Sequence, residues 1–315
     1  MKALIFSLLL ALSTLNTEKP LRILYWNIQN GMWADQGNNY DNFVAFVKET
    51  DPDICIWCEA KTHYRTGSGK SFQAGSDSLY LPAHWSELAA RYGHKYVFTG
   101  GERDFFPQVI TSKYPLEGKL RMTGDDSVVV SHGAGWAAVD IMGKKLNIVT
   151  VHTWPQKYGL DIPKSPSKLR KESALRHDGD SCRMKEIRWV FEHTIGTEPD
   201  AENQLWLFAG DMNSVSRVDN DVYGLEDDSP EFLTQDYLAS QPALVDAGYI
   251  LLDEFIPTGS NGRRIDYIYC TPALLQKILR MEVIREGYPA RKKTDIKNFW
   301  IPSDHYPILV DISDL

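Results

Sequence analysis

Short apolar runs rich in β-branched and aromatic residues recur along the chain, separated by polar residues at intervals that suit strands. The runs are "RILYWNI", "ICIWCEA", "YVFTG", "PQVITS", "WAAVDI", "LNIVTVHT", "LWLFAGD", "RIDYIYC" and "YPILVDI". Met142-Gly143-Lys144 separates "WAAVDI" from "LNIVTVHT", which predicts an antiparallel hairpin. Between the runs the spacing becomes helical. It predicts helices over 40–50, over 85–92 with a stop at Gly93, and over 182–195. The last has Ser181 as its cap, Ile187, Val190 and Phe191 on one face, and Gly196 behind it. Ser229-Pro230 and Thr271-Pro272 each read as a cap followed by proline at the first helical position. Strands mixed with helices, with an antiparallel pair among them, predict an α/β sandwich rather than a purely parallel sheet.

Composition narrows this picture. With 315 residues, 43% of them hydrophobic, the chain has ample material for a large core. Residues 1–18 begin "MKALIFSLLLALSTL", a lysine and an apolar run too short to span a bilayer, followed by a polar break. That shape predicts a signal peptide over 1–18, an exported protein, and one catalytic domain over 19–315, expected to act as a monomer with no transmembrane segment. The stretches 65–78 and 155–168 are read as long surface loops within it. Four cysteines are too few for a disulfide scaffold. Cys55 and Cys58 lie three apart on a strand and so on opposite faces, which predicts core thiols rather than a metal or redox pair. Net charge is −8, so no chain-wide basic surface holds nucleic acid. Locally the balance reverses, with nine Lys/Arg against six Asp/Glu over 156–193, and with Arg291, Lys292, Lys293 and Lys297 just ahead of Asp304. Such runs beside a site attract anions.

Several apolar runs end in polar residues. "LYWNIQNG" delivers Asn27 and Gln29, two apart and therefore expected on one face; "CIWCEA" delivers Glu59. "VTVHTWP" ends on His152, "LFAGDMNS" brings Asp211 and Asn213, "RIDYIYC" carries Asp266, and "IPSDHYP" carries Asp304 and His305. Each also has a structural reading. Asn27, Gln29, Asp304 and His305 suit turns, Glu59 a strand end facing water, His152 a satisfied core histidine, and Asp211 with Asn213 an Asx turn. Asp266, half-buried by its neighbours, needs a partner, and Arg264 is the structural one. Taken together, Asn and carboxylate oxygens with two histidines suit a hard cation, Mg²⁺ first and Mn²⁺ or Ca²⁺ next. Few carboxylates around such an ion suit phosphate ester hydrolysis.

"WNIQNG", "CEA", "VHTWP", "AGDMNS", "RIDYIY" and "PSDHYP" appear in an order that resembles the endonuclease/exonuclease/phosphatase superfamily, whose members have a DNase I-like fold. The resemblance runs from Leu21 to the end and is to a secreted bacterial-type member. It implies a four-layer α/β sandwich of two mixed β-sheets flanked by helices, with the site where strand ends meet. It also implies that Glu59 is the principal metal ligand with Asn27 beside it, that Asp304 lies close to the metal, and that Gln29 stands behind them in place of a carboxylate. Asp211 resembles the residue that activates water, and Asn213 one that binds phosphate or a second ion. His152 resembles a phosphate-binding histidine, and Asp266 the carboxylate that orients His305. The implied activity is a Mg²⁺-dependent phosphodiesterase or phosphatase. Alternatives are a nuclease acting on nucleic acid, a sphingomyelinase-like phospholipase, and a non-catalytic ligand-binding module on the same fold.

Overall fold

The computed structural model describes residues 19–36, 38–62, 81, 84–101, 106–122, 130–286, 303–313 and 315. Residues 1–18, most of the 61–80 loop and the basic cluster at 291–297 lie outside the described residues. In chain order the strands are β1 (Leu21–Asn27), β2 (Ile54–Cys58), β3 (Tyr96–Thr99), β4 (Val109–Ser112), β5 (Leu116–Met122) and β6 (Ala134–Ile141). There follow β7 (Lys144–His152), β8 (Leu205–Asp211), β9 (Val245–Asp246), β10 (Asp266–Cys270), β11 (Ile278–Val283) and β12 (Ile308–Ile312). They form two six-stranded sheets, ordered β11-β12-β1-β2-β4-β3 and β5-β6-β7-β8-β10-β9. Each is mixed: β1 runs parallel to β2 and β7 parallel to β8, and every other pairing is antiparallel.

Strand alternation divides the apolar residues among three cores. Ile23, Tyr25, Ile54, Ile56 and Cys58 from the first sheet meet Ile148, Leu207, Ala209 and Ile268 from the second, forming the central layer. The other face of the first sheet, with Trp26, Cys55 and Trp57, packs on α1 (Gln29–Gln36), α2 (Asp41–Thr50) and α3 (Trp85–Arg91) through Met32, Phe43, Phe46 and Leu88. The outer face of the second, with Val149, Trp206 and Phe208, packs on α5 (Asp178–Glu192) through Ile187 and Val190, and on the helix Leu233–Ala239 through Leu238. This is the four-layer sandwich. Cys55 and Cys58 sit in different layers as buried free thiols, as the alternation requires. Among the described residues no helix is long and apolar enough to cross a membrane.

Two local expectations change. The helix expected from Cys182 begins at Asp178, with His177 rather than Ser181 at its N-cap and in the left-handed region at φ 57°. The reason is a close approach. A Cβ on Gly179 would stand 2.1 Å from Gln156 O, so glycine lets the first turn pack on the preceding loop, and Gly179 N donates to Lys157 O at 3.0 Å. Asp178 and Asp180 complement the helix dipole there. The 155–168 stretch is a loop only as far as Pro166, where α4 (Ser167–Leu175) starts. The hairpin turn holds, with Met142 and Gly143 both at positive φ, 52° and 87°.

Candidate active site

Register gathers the polar strand ends. β7 pairs with β8 so that His152 lies beside Asp211, and β8 pairs with β10 so that Asp211 lies opposite Asp266. In the facing sheet Asn27 pairs with Cys58, one residue before Glu59. Both sheets therefore end at one level, and their last residues face each other across the sandwich. Asn27 joins the two: its Nδ2 donates to Glu59 Oε1 at 3.2 Å and to Asp211 Oδ2 at 3.0 Å.

Glu59 is fixed by an unusual turn. After β1 the chain passes through positive φ at Gln29, Asn30, Gly31 and Met32. Gly31 is required there, because at φ 66° a Cβ would also lie 2.8 Å from the Lys61 and Thr62 backbone. The turn brings Asn30 N to Glu59 Oε2 at 3.0 Å and Gly31 N to Glu59 O at 2.7 Å. It also removes Gln29 from the strand, so Asn27 and Gln29 do not share a strand face as expected. Gln29 instead donates its backbone N–H to Asn27 Oδ1 at 3.0 Å. Glu59 and Asn213 are themselves left-handed, at φ 55° and 46°, a costly conformation for non-glycine residues that concentrates at functional sites.

His305 is held by both neighbours of its ring and chain. Its Nδ1 lies 2.7 Å from Asp266 Oδ2, and Asp266 Oδ1 accepts from Tyr25 Oη at 2.8 Å. Ser303 Oγ accepts from His305 N and donates to Asn27 O, which bends the chain before β12. The bend leaves His305 buried and Asp304 half-exposed, 4.0 Å from His305 Nε2. His305 Nε2 is then 3.7 Å from Asp211 Oδ2, and His152 Nε2 is 3.4 Å from the same oxygen. Asp211 Oδ1 accepts from Asn213 N at 3.0 Å, so the Asx turn and the convergent site coexist. Asn213 Nδ2 donates to Thr153 O. Arg264 is not Asp266's partner; it binds Asp219 and Asp246 instead.

Electrostatics follow from burial. Desolvation, then Asp266, pushes Asp211 up to about 7, with His305 opposing. Burial, with Asp304 beside it, also raises Glu59. For His305 burial favours the neutral ring, but Asp266 and Asp211 outweigh it and raise its pKa well above that of a free imidazole. Burial, His132 and His305 lower that of His152. His152 is thus neutral, with its Nε2 facing Asp211. Among the described residues only imidazoles form ion pairs with Asp211 and Asp266. Half-buried Glu59 and buried Asp211 are two carboxylates sharing one neutral amide, and a cation fits that charge deficit. Ligand atoms of Glu59, His152 and Asp211 all lie within 4.8 Å of one another.

Sequence reasoning missed two supports. The rings of His132 and His152 are 4.5 Å apart. Glu186 accepts from Ser131 N and Trp154 N, both at 2.8 Å, tying the segments that carry these histidines to α5. A carboxylate one position before Ile187 and four before Val190, on the buried side of an amphipathic helix, is the signal that marks Glu186. Nothing in "SHGAG" marks His132.

In sequence comparison no curated protein matches this chain. The fold is similar to that of an AP endonuclease from Archaeoglobus fulgidus, at 18% identity and a TM-score of 0.58, covering 94% of this chain and 100% of that one. It is also similar to a 3'-5' exonuclease (NExo) from Neisseria meningitidis, at 16% identity and a TM-score of 0.56, covering 93% and 99%. A humanized D. rerio TDP2 carrying 14 mutations aligns at 17% identity and a TM-score of 0.53, covering 93% and 99%. At these identities the likeness shows the fold alone. The family model described as the Endonuclease/Exonuclease/phosphatase family matches residues 24–305, and the chain belongs to that family.

Proposed function

We propose that the protein is a divalent-metal-dependent phosphoric ester hydrolase. The observation that carries this reading is the convergence of His152 Nε2, His305 Nε2 and Asn27 Nδ2 on one oxygen of Asp211, with Glu59 on the same amide. Glu59 and Asn27, with Asp304 at the rim, would hold Mg²⁺ in preference to Mn²⁺ or Ca²⁺. When bound, the ion supplies positive charge against the charge developing on the phosphoryl oxygens. Asp211 accepts the proton of the attacking water at Oδ2, the oxygen on which Asn27 and both imidazoles converge, while Oδ1 is held by Asn213 N. Asp266 fixes the proton of His305 at Nδ1, and its charge keeps the ring cationic, so Nε2 donates to a phosphoryl oxygen. His152 donates from Nε2 as a neutral ring. Asn213, anchored on Thr153, takes a further substrate oxygen. Gln29 contributes through its backbone, by orienting Asn27.

Turnover of a nitrophenyl phosphodiester with Mg²⁺, and its loss in chelator, tests the reading. A chain that binds such esters without hydrolysing them is a binding module instead. Plasmid DNA, RNA, sphingomyelin and inositol phosphates in the same assay assign the substrate. We also propose that residues 1–18 are removed on export, which mass spectrometry of the mature N-terminus checks.

A further inference from the structure

A cleft of about 600 Å³ begins at Asn213, which alone among the residues given roles above lines it. It opens where the site ends: Asn213 lines it from the segment after β8, and Ile265, the neighbour of Asp266, lines it from before β10. The facing wall is α4. Lys171, Ala174 and Leu175 line the cleft at i, i+3 and i+4, so a single helix face supplies them.

The charge of this cleft is unbalanced. Four Lys/Arg line it against two carboxylates. Both carboxylates are already engaged, Asp180 by Arg183 and His177, and Glu231 by Arg263 at 2.9 Å. Among the described residues neither Lys157 nor Lys171 has a carboxylate partner. Two ammonium groups without counter-charge, over a concave surface next to the reacting centre, call for an anion. The volume exceeds what a lone phosphate fills, and Ala174, Leu175 and Ile265 give it an apolar wall, so the anion arrives on a carrier.

We propose that this cleft seats a second phosphate of the substrate, on the group next to the scissile ester, with Lys157 and Lys171 as its counter-charges. The inference rests on the phosphoesterase reading and narrows it to substrates with at least two phosphates. Substrates whose neighbouring group carries a quaternary ammonium are disfavoured, because the lysines repel it.

The test is equilibrium binding to the intact chain in chelator, where turnover is absent. A nucleoside bisphosphate is compared with the nucleoside monophosphate, and a sugar bisphosphate with the sugar monophosphate. The bisphosphate should bind about tenfold tighter than its monophosphate, and added salt should shrink the difference. The Lys157→Gln/Lys171→Gln double variant should abolish it; both side chains are exposed, so the fold is not at stake. A gain on both carriers assigns recognition to phosphate alone, and a gain on nucleosides only assigns the apolar wall to a base. Equal affinities in the wild type, or a preference that survives the double substitution, overturn the proposal. Turnover of a dinucleotide in Mg²⁺ separates the two readings. Selective binding without hydrolysis keeps the subsite and removes the esterase.

Discussion

Arg264 and Asp266 are two residues apart at the start of one strand, and each anchors a buried ion network of a different kind. Arg264 is paired on two sides by carboxylates. Its Nε donates to Asp219 Oδ2 at 2.9 Å, its Nη1 donates to Asp246 Oδ1 at 3.0 Å, and its guanidinium lies 4.5 Å from the centre of the Tyr267 ring. The Asp266 network stays open. It sums three carboxylates, with Glu59 and Asp211, against the imidazoles of His152 and His305. A permanently charged guanidinium fixes a structure, whereas groups whose protonation shifts with their neighbours can hand protons on. Burial alone does not separate the two, since Arg264 and Asp266 are 4% and 1% exposed. The kind of cation does: a permanent guanidinium in one network, titratable imidazoles in the other.

The largest effect should come from the open network. Asp211→Asn keeps size and hydrogen bonding yet removes the base, so kcat should fall by roughly 10²–10⁴ while KM holds or drops. A loss confined to KM would make Asp211 a binding residue and erase the contrast. Arg264→Met gives the opposite pattern. It strands two carboxylates, so the protein should lose about 3–5 kcal/mol in denaturant titration, while the folded fraction keeps kcat within about threefold. A collapse of kcat with little change in stability would place Arg264 in the chemistry.

The Asp266–His305 pair sharpens the comparison further, because it should cost both stability and rate. Asp266→Ala leaves the Tyr25 hydroxyl and the His305 Nδ1 proton without an acceptor, at about 1–3 kcal/mol. Since Asp266 acts through the ring, adding it to His305→Ala should change kcat/KM by less than about threefold beyond His305→Ala alone. Additive losses in that double-mutant cycle would dissolve the pair.

Much of this was legible before any coordinates, and the misses share a cause. The nine runs read as strands are all strands, whereas β5, β9 and β11 went unread, and all three lie at sheet edges. An edge strand such as "LEGKLRM" has one strand neighbour and a largely exposed face, so its sequence lacks a continuous apolar body. The candidate site residues were visible because each borders an apolar run, Asn27, Glu59, His152 and Asp211 at its end and Asp266, Asp304 and His305 at or before its start, and breaks its pattern. Gln29 was misplaced because a left-handed turn, which period-two reasoning does not anticipate, ends the strand at Asn27. Glu186 was missed because its partners Ser131 and Trp154 lie 55 and 32 residues away, beyond any local pattern.

The smallest effect concerns pH, and it separates the two networks without any substrate. Burial and neighbouring carboxylates raise Glu59, and they raise Asp211 to about 7, so the folded protein holds protons that the unfolded chain has released. Between about pH 4 and 7 these two groups therefore contribute a stability that falls as pH rises, because they bind fewer protons in the unfolded state, while His152 and His94, lowered by burial, act in the opposite direction. His305 acts later. Its raised pKa contributes stability that is present in full below about pH 6.5 and lost only as pH climbs through the folded value. A divalent ion held by Glu59, close to Asp211, favours the ionised form of both carboxylates, so its stabilisation should grow across the same window. The Tm gain from Mg²⁺ over chelator should be a few degrees larger at about pH 8 than at about pH 5. Arg264→Met should leave that difference in place, and Asp211→Asn should shrink it. A gain independent of pH would mean that the ion binds elsewhere, and the open network would then have no claim to a cation.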